Sequence, residues 1–223
     1  MPSYQPGSDT RNRLLVAAAE VFAEQGFRHA RISDICQRAQ ANIAAVNYHF
    51  GDKESLYLAV VQKLDAESKA DATYMQIDPN APPEEKLQTF IREFLAILLK
   101  SGPSTWLGKL MAREMIEPTA ALDYMIEKVI PPVDGAVRGI VGELLSLPPD
   151  APLVQMCVSS ILGQCMIYFD TKEIALRVTP GLINPDNSYP PAMIAFLAEH
   201  VTQFSLHGMQ SMAVPAAAAQ TGK

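Results

Sequence analysis

Three cysteines in 223 residues, Cys36, Cys157 and Cys165, are too few and too scattered to staple a fold. They form no CxxC pair and have no paired histidines nearby, so neither a disulfide framework nor a zinc site is expected. The four histidines, His29, His49, His200 and His207, lie far apart, and the chain has no HExxH, no GxSxG and no phosphate-cradling glycine loop. These absences remove the common routes to metal or nucleophile chemistry. The expectation is a protein that is not an enzyme, with no catalytic residue, no metal ligand and no cofactor.

Strand alternation is missing throughout, and no run approaches the ~18 uncharged apolar residues that a membrane span requires. The first ten residues, MPSYQPGSDT, carry no basic segment followed by an apolar stretch. No membrane association and a cytoplasmic location are therefore expected. Positive charge is also scarce overall. The net charge of −6 argues against a general polyanion binder, but its distribution is uneven. Residues 10–53 hold six basic against four acidic side chains, +2, whereas residues 65–223 hold 11 basic against 18 acidic, −7. Any nucleic acid should meet the N-terminal head.

What the chain does have is apolar content of 48%, enough for a proper core, in helical register almost everywhere. The most informative stretch is Ile32 to Lys53. Ile32, Ile35, Cys36 and Ala39 mark one face of a short helix, and Ile43, Val46 and Phe50 repeat that spacing after a break. At 100° per residue these last three point inward, Ala44, Ala45 and Tyr48 point outward, and Asn47 and His49 lie on the flanks. A small outer face with polar flanks suits a helix that enters the major groove, where alanine can meet a thymine methyl and asparagine a base edge or a phosphate. An ordinary helical hairpin with a solvated face shows the same spacing.

The run from Arg11 to Leu64, through GFRHARISDI and QRAQANIAAVNYHFGDKESLY, resembles the DNA-binding domain of TetR-family transcriptional regulators, and NIAAVNYHFGDKESLY resembles the CecR-like branch. The resemblance implies an all-α fold, with an N-terminal three-helix helix-turn-helix DNA-binding domain and a C-terminal helical domain for ligand binding and dimerisation. Together with the outer face and flanks of the second helix, it makes Arg11, Arg31, Asn42, Ala44, Ala45, Asn47, Tyr48, His49 and Lys53 the candidate DNA-binding positions. Tyr48, His49 and Lys53 would clamp phosphates, Arg11 or Arg13 would meet the backbone, and Asn47 would take a base edge or a phosphate. Asn42 would also cap the reading helix and Asp52 the next one. Two departures stand out: Ala30 replaces a usual capping threonine and Gln40 a usual glycine. A left-handed Gln40 would cost about 1 kcal/mol relative to glycine.

The polar segment after Leu64 sets the expected domains at 10–64 and 65–212, with tails 1–9 and 213–223 disordered. The first helix should end at Gly26. Beyond the boundary, helices are expected from Glu84 to Lys100, from Trp106 to Pro118, from Thr119 to about Leu147 with a kink or split at Pro131-Pro132, from Leu153 to about Val178, and from Pro191 to about Met212. Trp106, Met111, Arg113, Met115, Tyr124, Cys165, Tyr168 and Phe169 are candidates to line an adaptable apolar pocket, although such residues also build ordinary cores.

The expected function is a regulator, most simply a repressor, that binds a palindromic double-stranded DNA operator as a homodimer and is released by a small-molecule effector. An activator of the same architecture and a helical protein-interaction module are the alternatives.

Overall fold

The computed structural model describes residues 6–70, 76–99, 105–184 and 188–220, and contains helices and no strand among them. The chain divides into two compact units: Met1–Asp71 with Gly102–Val129, and Ala72–Ser101 with Ile130–Lys223. The head unit therefore takes in a segment that the sequence assigned wholly to the C-terminal domain.

In the head, α1 (Pro6–His29), α2 (Ile32–Ala39), α3 (Ile43–Phe50) and α4 (Lys53–Ala70) are joined by α6 (Trp106–Ile116) and α7 (Ala120–Tyr124). Leu14, Ala18, Val21 and Phe22 of α1 form the fully buried stripe that the spacing predicts, and Phe22 meets the ring of Tyr57 edge-on at 4.8 Å. Leu14, Val21 and Phe22 each contribute about 1.5–3 kcal/mol by leaving water, and the smaller Ala18 less. Leu56, Val60 and Val61 of α4 and Leu110 and Met125 join the same core. Gly26 breaks α1 as expected, at φ 76° and ψ 166°, and a last turn runs on to His29.

The second unit packs α5 (Pro83–Leu99), α8 (Ile130–Leu145), α9 (Pro152–Asp170), α10 (Lys172–Val178) and α11 (Pro191–Gln220). Its core is Leu87, Phe90, Ile91 and Leu95 of α5 with Val137, Val141, Val158, Ile161, Cys165 and Val201. Pro131 and Pro132 lie in the first turn of α8, and the irregularity expected of them falls just before, as a π-helical turn, Met125–Val129.

Three expectations need correction. Helix α1 begins at Pro6 and so takes in 6–9, and α11 continues to Gln220, so most of the two tails expected to be disordered is helical backbone. Proline suits a first helical turn and the alanine run is a strong helix former. Residues 1–5 and 221–223, the rest of those tails, lie outside the described residues. The segment expected as one helix from Leu153 to Val178 is divided at Thr171, whose hydroxyl bonds back to the Ile167 carbonyl at 2.6 Å. Finally, α9 is long and apolar enough, by length and composition, to cross a membrane. Its Val154, Cys157, Val158, Ile161 and Cys165 are a buried stripe, interrupted by Gln155, Ser159, Ser160 and Gln164, as suits the core helix of a folded unit.

Candidate nucleic-acid interface

Helix α2 ends in a Schellman-type turn. The Ala41 amide donates to the Cys36 carbonyl at 3.0 Å and the Gln40 amide to Gln37 at 3.3 Å. This geometry needs a left-handed residue, and Gln40 supplies it at φ 51° and ψ 47°. The condition attached to Gln40 is thus met, with its cost. Arg13 secures the turn by donating to the Ala39 carbonyl at 3.1 Å and reaching that of Gln40 at 3.5 Å. Arg13 is consequently engaged within the head, while Arg11 stands exposed with its guanidinium 5.3 Å from the centre of the Phe50 ring, beside the end of α3.

Asn42 caps α3 as the sequence predicts, its side-chain oxygen accepting from the Ala45 amide at 2.8 Å. Asp52 caps α4 in the same way, accepting from the Ser55 amide at 2.7 Å. That bond holds the Asp52 carboxyl below its ordinary range. The second helix has no such cap: Arg31 occupies the position, exposed, with extended backbone and no capping bond, next to the Ala30 that replaces threonine.

The orientation of α3 differs from the expected one by a partial turn. Val46 is buried and Phe50 packs on the core, as predicted, but Ala45 is half-buried against that core and Ile43 is 55% exposed. The reason is the sector offered to α1, α2 and α4: centred between Val46 and His49, it takes in positions 45, 46, 49 and 50, and leaves 43, 44, 47 and 48 outside. Asn47 is therefore on the outer face, with Ala44 and Tyr48, and the half-buried His49 lies back against the turn. Tyr48 is 85% exposed, and its ring leans edge-on against His49 at 4.9 Å. The spacing argument missed Ile43, which presents an apolar group on the same outer face. Its signal was its place in the first turn, where few neighbours remain to cover it.

Lys53 opens α4 with its amine 3.3 Å from the Arg28 carbonyl and 4.8 Å from the centre of the Phe27 ring. Burial lowers its pKa. It thus ties the end of α1 to the start of α4 while remaining half-exposed.

The pocket candidates divide between the units. Trp106, Met111 and Tyr124 pack on the head core, Met115 is exposed, and Arg113 donates to the Glu24 carbonyl at 2.7 Å. Cys165, Tyr168 and Phe169 belong to the other unit, where Cys165 is fully buried and its thiol pKa is pushed up to about 12 by burial. Tyr168 and Phe169 are half-buried beside it, and Tyr189 donates to the Tyr168 carbonyl at 3.0 Å. No group of three metal-ligating side chains occurs among the described residues.

Comparison with known proteins agrees with this architecture. Residues 14–60 match the model of the bacterial regulatory proteins of the tetR family, and residues 83–209 match the C-terminal domain of the HTH-type transcriptional dual regulator CecR. The chain is 28% identical over 187 residues to the CecR dual regulator of Shigella flexneri, covering 78% of this chain and 81% of that protein. It is 32% identical over 87 residues to the HTH-type transcriptional repressor NicS of Pseudomonas putida, 39% of this chain and 41% of that protein. The crystal structure of the transcriptional regulator FadR from Bacillus subtilis in complex with stearoyl-CoA superposes with a TM-score of 0.62 at 18% identity, covering 88% of this chain and 98% of that one. These relatives are DNA-binding regulators of transcription and not enzymes. The chain belongs to the TetR family of bacterial regulatory proteins and, through its C-terminal domain, to the CecR type within it.

Proposed function

We propose that the protein is a homodimeric repressor that holds a palindromic operator through α3 and releases it when a small molecule binds the C-terminal unit. The observation that carries the DNA contact is the outer face of α3, where Ala44, Asn47 and Tyr48 stand exposed together with Ile43. Ala44 and Ile43 offer methyl groups to thymine, Asn47 a donor and acceptor pair to an adenine edge, and Tyr48 a hydroxyl to a phosphate. Arg11, Arg31 and Lys53 add positive charge, and Asn42, Ala45 and His49 set the helix in place around its cap and its inner flank. A cytoplasmic location accompanies this reading.

Dimerisation is supported by α9 and α11, which leave Met156, Ile167, Phe196 and Phe204 exposed, the two phenylalanines at 67% and 64%. Ser159, Ser160 and Gly163 on α9 are exposed as well, and nothing lies near the open side of Gly163. Small residues beside large apolar ones let two helices approach closely and interdigitate. A shallow hollow of about 490 Å³ lined by His200, Gln203, Phe204, His207 and Gly208 lies on the same helix. A dimer places two reading helices on half-sites about one helical turn or more apart.

For the effector, the half-buried Tyr168 and Phe169 beside Cys165 support an apolar contact, and Trp106, Met111, Arg113, Met115 and Tyr124 are candidates in the head segment that would respond to it. An acyl-CoA is the first class to screen, because FadR was crystallised with one. A differential affinity of about 1–3 kcal/mol between the two conformations of the protein changes DNA binding by about 5- to 150-fold.

Selection of bound duplexes from a randomised pool tests this reading. A palindromic consensus is expected from the native protein and its loss from Asn47→Ala, Tyr48→Ala. Recovery of a single, unrepeated half-site would remove the dimer, and no enrichment at low salt would remove sequence reading through α3. Activation at some promoters is the second reading, favoured by the dual-regulator relative.

A further inference from the structure

Helix α4 starts next to the reading helix, at Asp52 and Lys53, and its apolar stripe of Leu56, Val60, Val61 and Leu64 packs on the head core. Apolar contact presses a helix onto its neighbours but resists sliding and rotation only weakly, because it has no direction. Two polar contacts supply that direction. Near the start of α4, the Tyr57 hydroxyl donates to Glu114 Oε1 at 2.9 Å. Glu114, on α6, is 1% exposed. Its Oε2 accepts from the Thr119 amide at 2.7 Å, and the Thr119 hydroxyl donates at 3.0 Å to Oε1. Three donors thus satisfy a buried carboxylate that has no basic partner in this set, and burial followed by the neighbouring carboxylate raises the Tyr57 pKa.

Eight residues further along α4, about 12 Å up the axis, the polarity is reversed. Here α4 supplies the carboxylate, the nearly buried Asp65, and α7 the tyrosine, with the Tyr124 hydroxyl donating to Asp65 Oδ2 at 2.8 Å. Lys69 Nζ also bonds that oxygen at 2.8 Å, and donates to the Lys128 carbonyl at 3.0 Å. Lys128 is the residue whose carbonyl a regular helix would pair with the amide of position 132. Proline stands there and has no N–H, and Lys69 is a donor that this carbonyl does have.

We infer that Tyr57–Glu114 and Tyr124–Asp65 form a crossed clamp that sets the seat of α4 and, through it, of the reading helix α3, making Glu114 and Asp65 positioning residues for operator binding. Sliding α4 along α6 and α7 stretches both bonds at once and leaves two largely buried carboxylates short of a donor, a state more costly than the loss of either bond in water. The two bonds lie two turns apart on the helix, so rotation about one is stopped by the other. Arg113, next to Glu114, extends the grip to α1, donating to the Glu24 carbonyl at 2.7 Å just before the Gly26 break. A Cβ at position 26 would meet Arg113 Nη1 at 2.8 Å, so glycine there permits that approach as well as the turn. Residues 105–129 are on this account part of the DNA-reading unit, and fix its geometry more than its stability, since apolar groups of the same shape would hold the core as well.

The test uses the full chain with Tyr57→Phe, Tyr124→Phe and the pair together, each change removing one hydroxyl and keeping the ring. The inference rests on the proposed DNA contact through α3, so the probe is the consensus duplex that the native protein selects from the randomised pool; its affinity is titrated across a range of salt, well below the melting temperature, and melting is followed by circular dichroism. Each single variant is expected to melt cooperatively and to bind the operator about fivefold more weakly or worse. The slope of log K against log salt should become shallower, because a displaced reading helix loses phosphate contacts. The double variant should lose less than the product of the two single losses, since one broken end already frees the helix. Native affinity and salt slope in both folded single variants would overturn the inference, as would losses that multiply. Amide exchange gives a second readout on the singles: faster exchange across α3 and the first turns of α4 is expected, and unchanged exchange there would also overturn it.

Discussion

Replacing Gln40 with glycine should stabilise the protein, although it removes a side chain and adds no contact. Gln40 sits at φ 51° and ψ 47°, in the left-handed region, with its side chain exposed, so nothing is lost from the core. An L-residue costs about 1–2 kcal/mol there. Glycine avoids that cost but gives back about 0.5–1 kcal/mol through its greater freedom in the unfolded chain. The net gain is about 0.5–1 kcal/mol, which for a chain of this size raises Tm by about 1–4 °C. Thermal melts of Gln40→Gly and Gln40→Ala beside the native protein would measure it. Alanine keeps the Cβ and its clash, so it should stay near the native Tm. A stabilisation by alanine equal to that by glycine would refute the backbone argument, and no gain from glycine would mean that Arg13, which holds the carbonyls of Ala39 and Gln40, already sets the turn at no cost.

Three further outcomes are expected. Asn42→Ala should cost about 1 kcal/mol, seen as a lowered Tm, because the Ala45 amide loses its side-chain acceptor. Asp52 has a folded pKa depressed by the Ser55 amide, so its contribution is present above its unfolded pKa and fades as pH falls through the lower folded value. Acid titration of stability should therefore be flatter for Asp52→Asn than for the native chain below about pH 4. Cys165, buried with its thiol pushed up to about 12, should resist thiol reagents in the native protein and react only on denaturation, whereas a rapid native reaction would contradict its burial.

The reading helix shows where residue spacing succeeds and where it stops. Periodicity put Val46 inside and Tyr48 outside, because those two lie on opposite sides of any packed version of this helix. It misjudged Ile43 and Ala45, which lie near the margins of the buried sector. Their exposure depends on where α1, α2 and α4 end, and the helix's own sequence carries no record of that. Local chemistry was more dependable. The caps at Asn42 and Asp52, the break at Gly26 and the left-handed Gln40 are each decided within a few residues, by groups that must find partners for free backbone amides and carbonyls.

Glu114 illustrates the opposite case. In REMIEP its sequence fits a surface charge or a polar anchor for a ligand alike, and only the approach of α4 and Thr119 makes it a buried acceptor. The same holds for the pocket candidates, which one sequence-based grouping joined and the fold divides between two units. Short-range pattern determined the helices, their caps, the helix-turn-helix and the family, because each depends on residues within a turn or two of one another. The sector of α3 left open and the polar clamp on α4 were decided by tertiary packing, because a side chain's burial and its hydrogen-bond partners are properties of whichever distant helix arrives beside it.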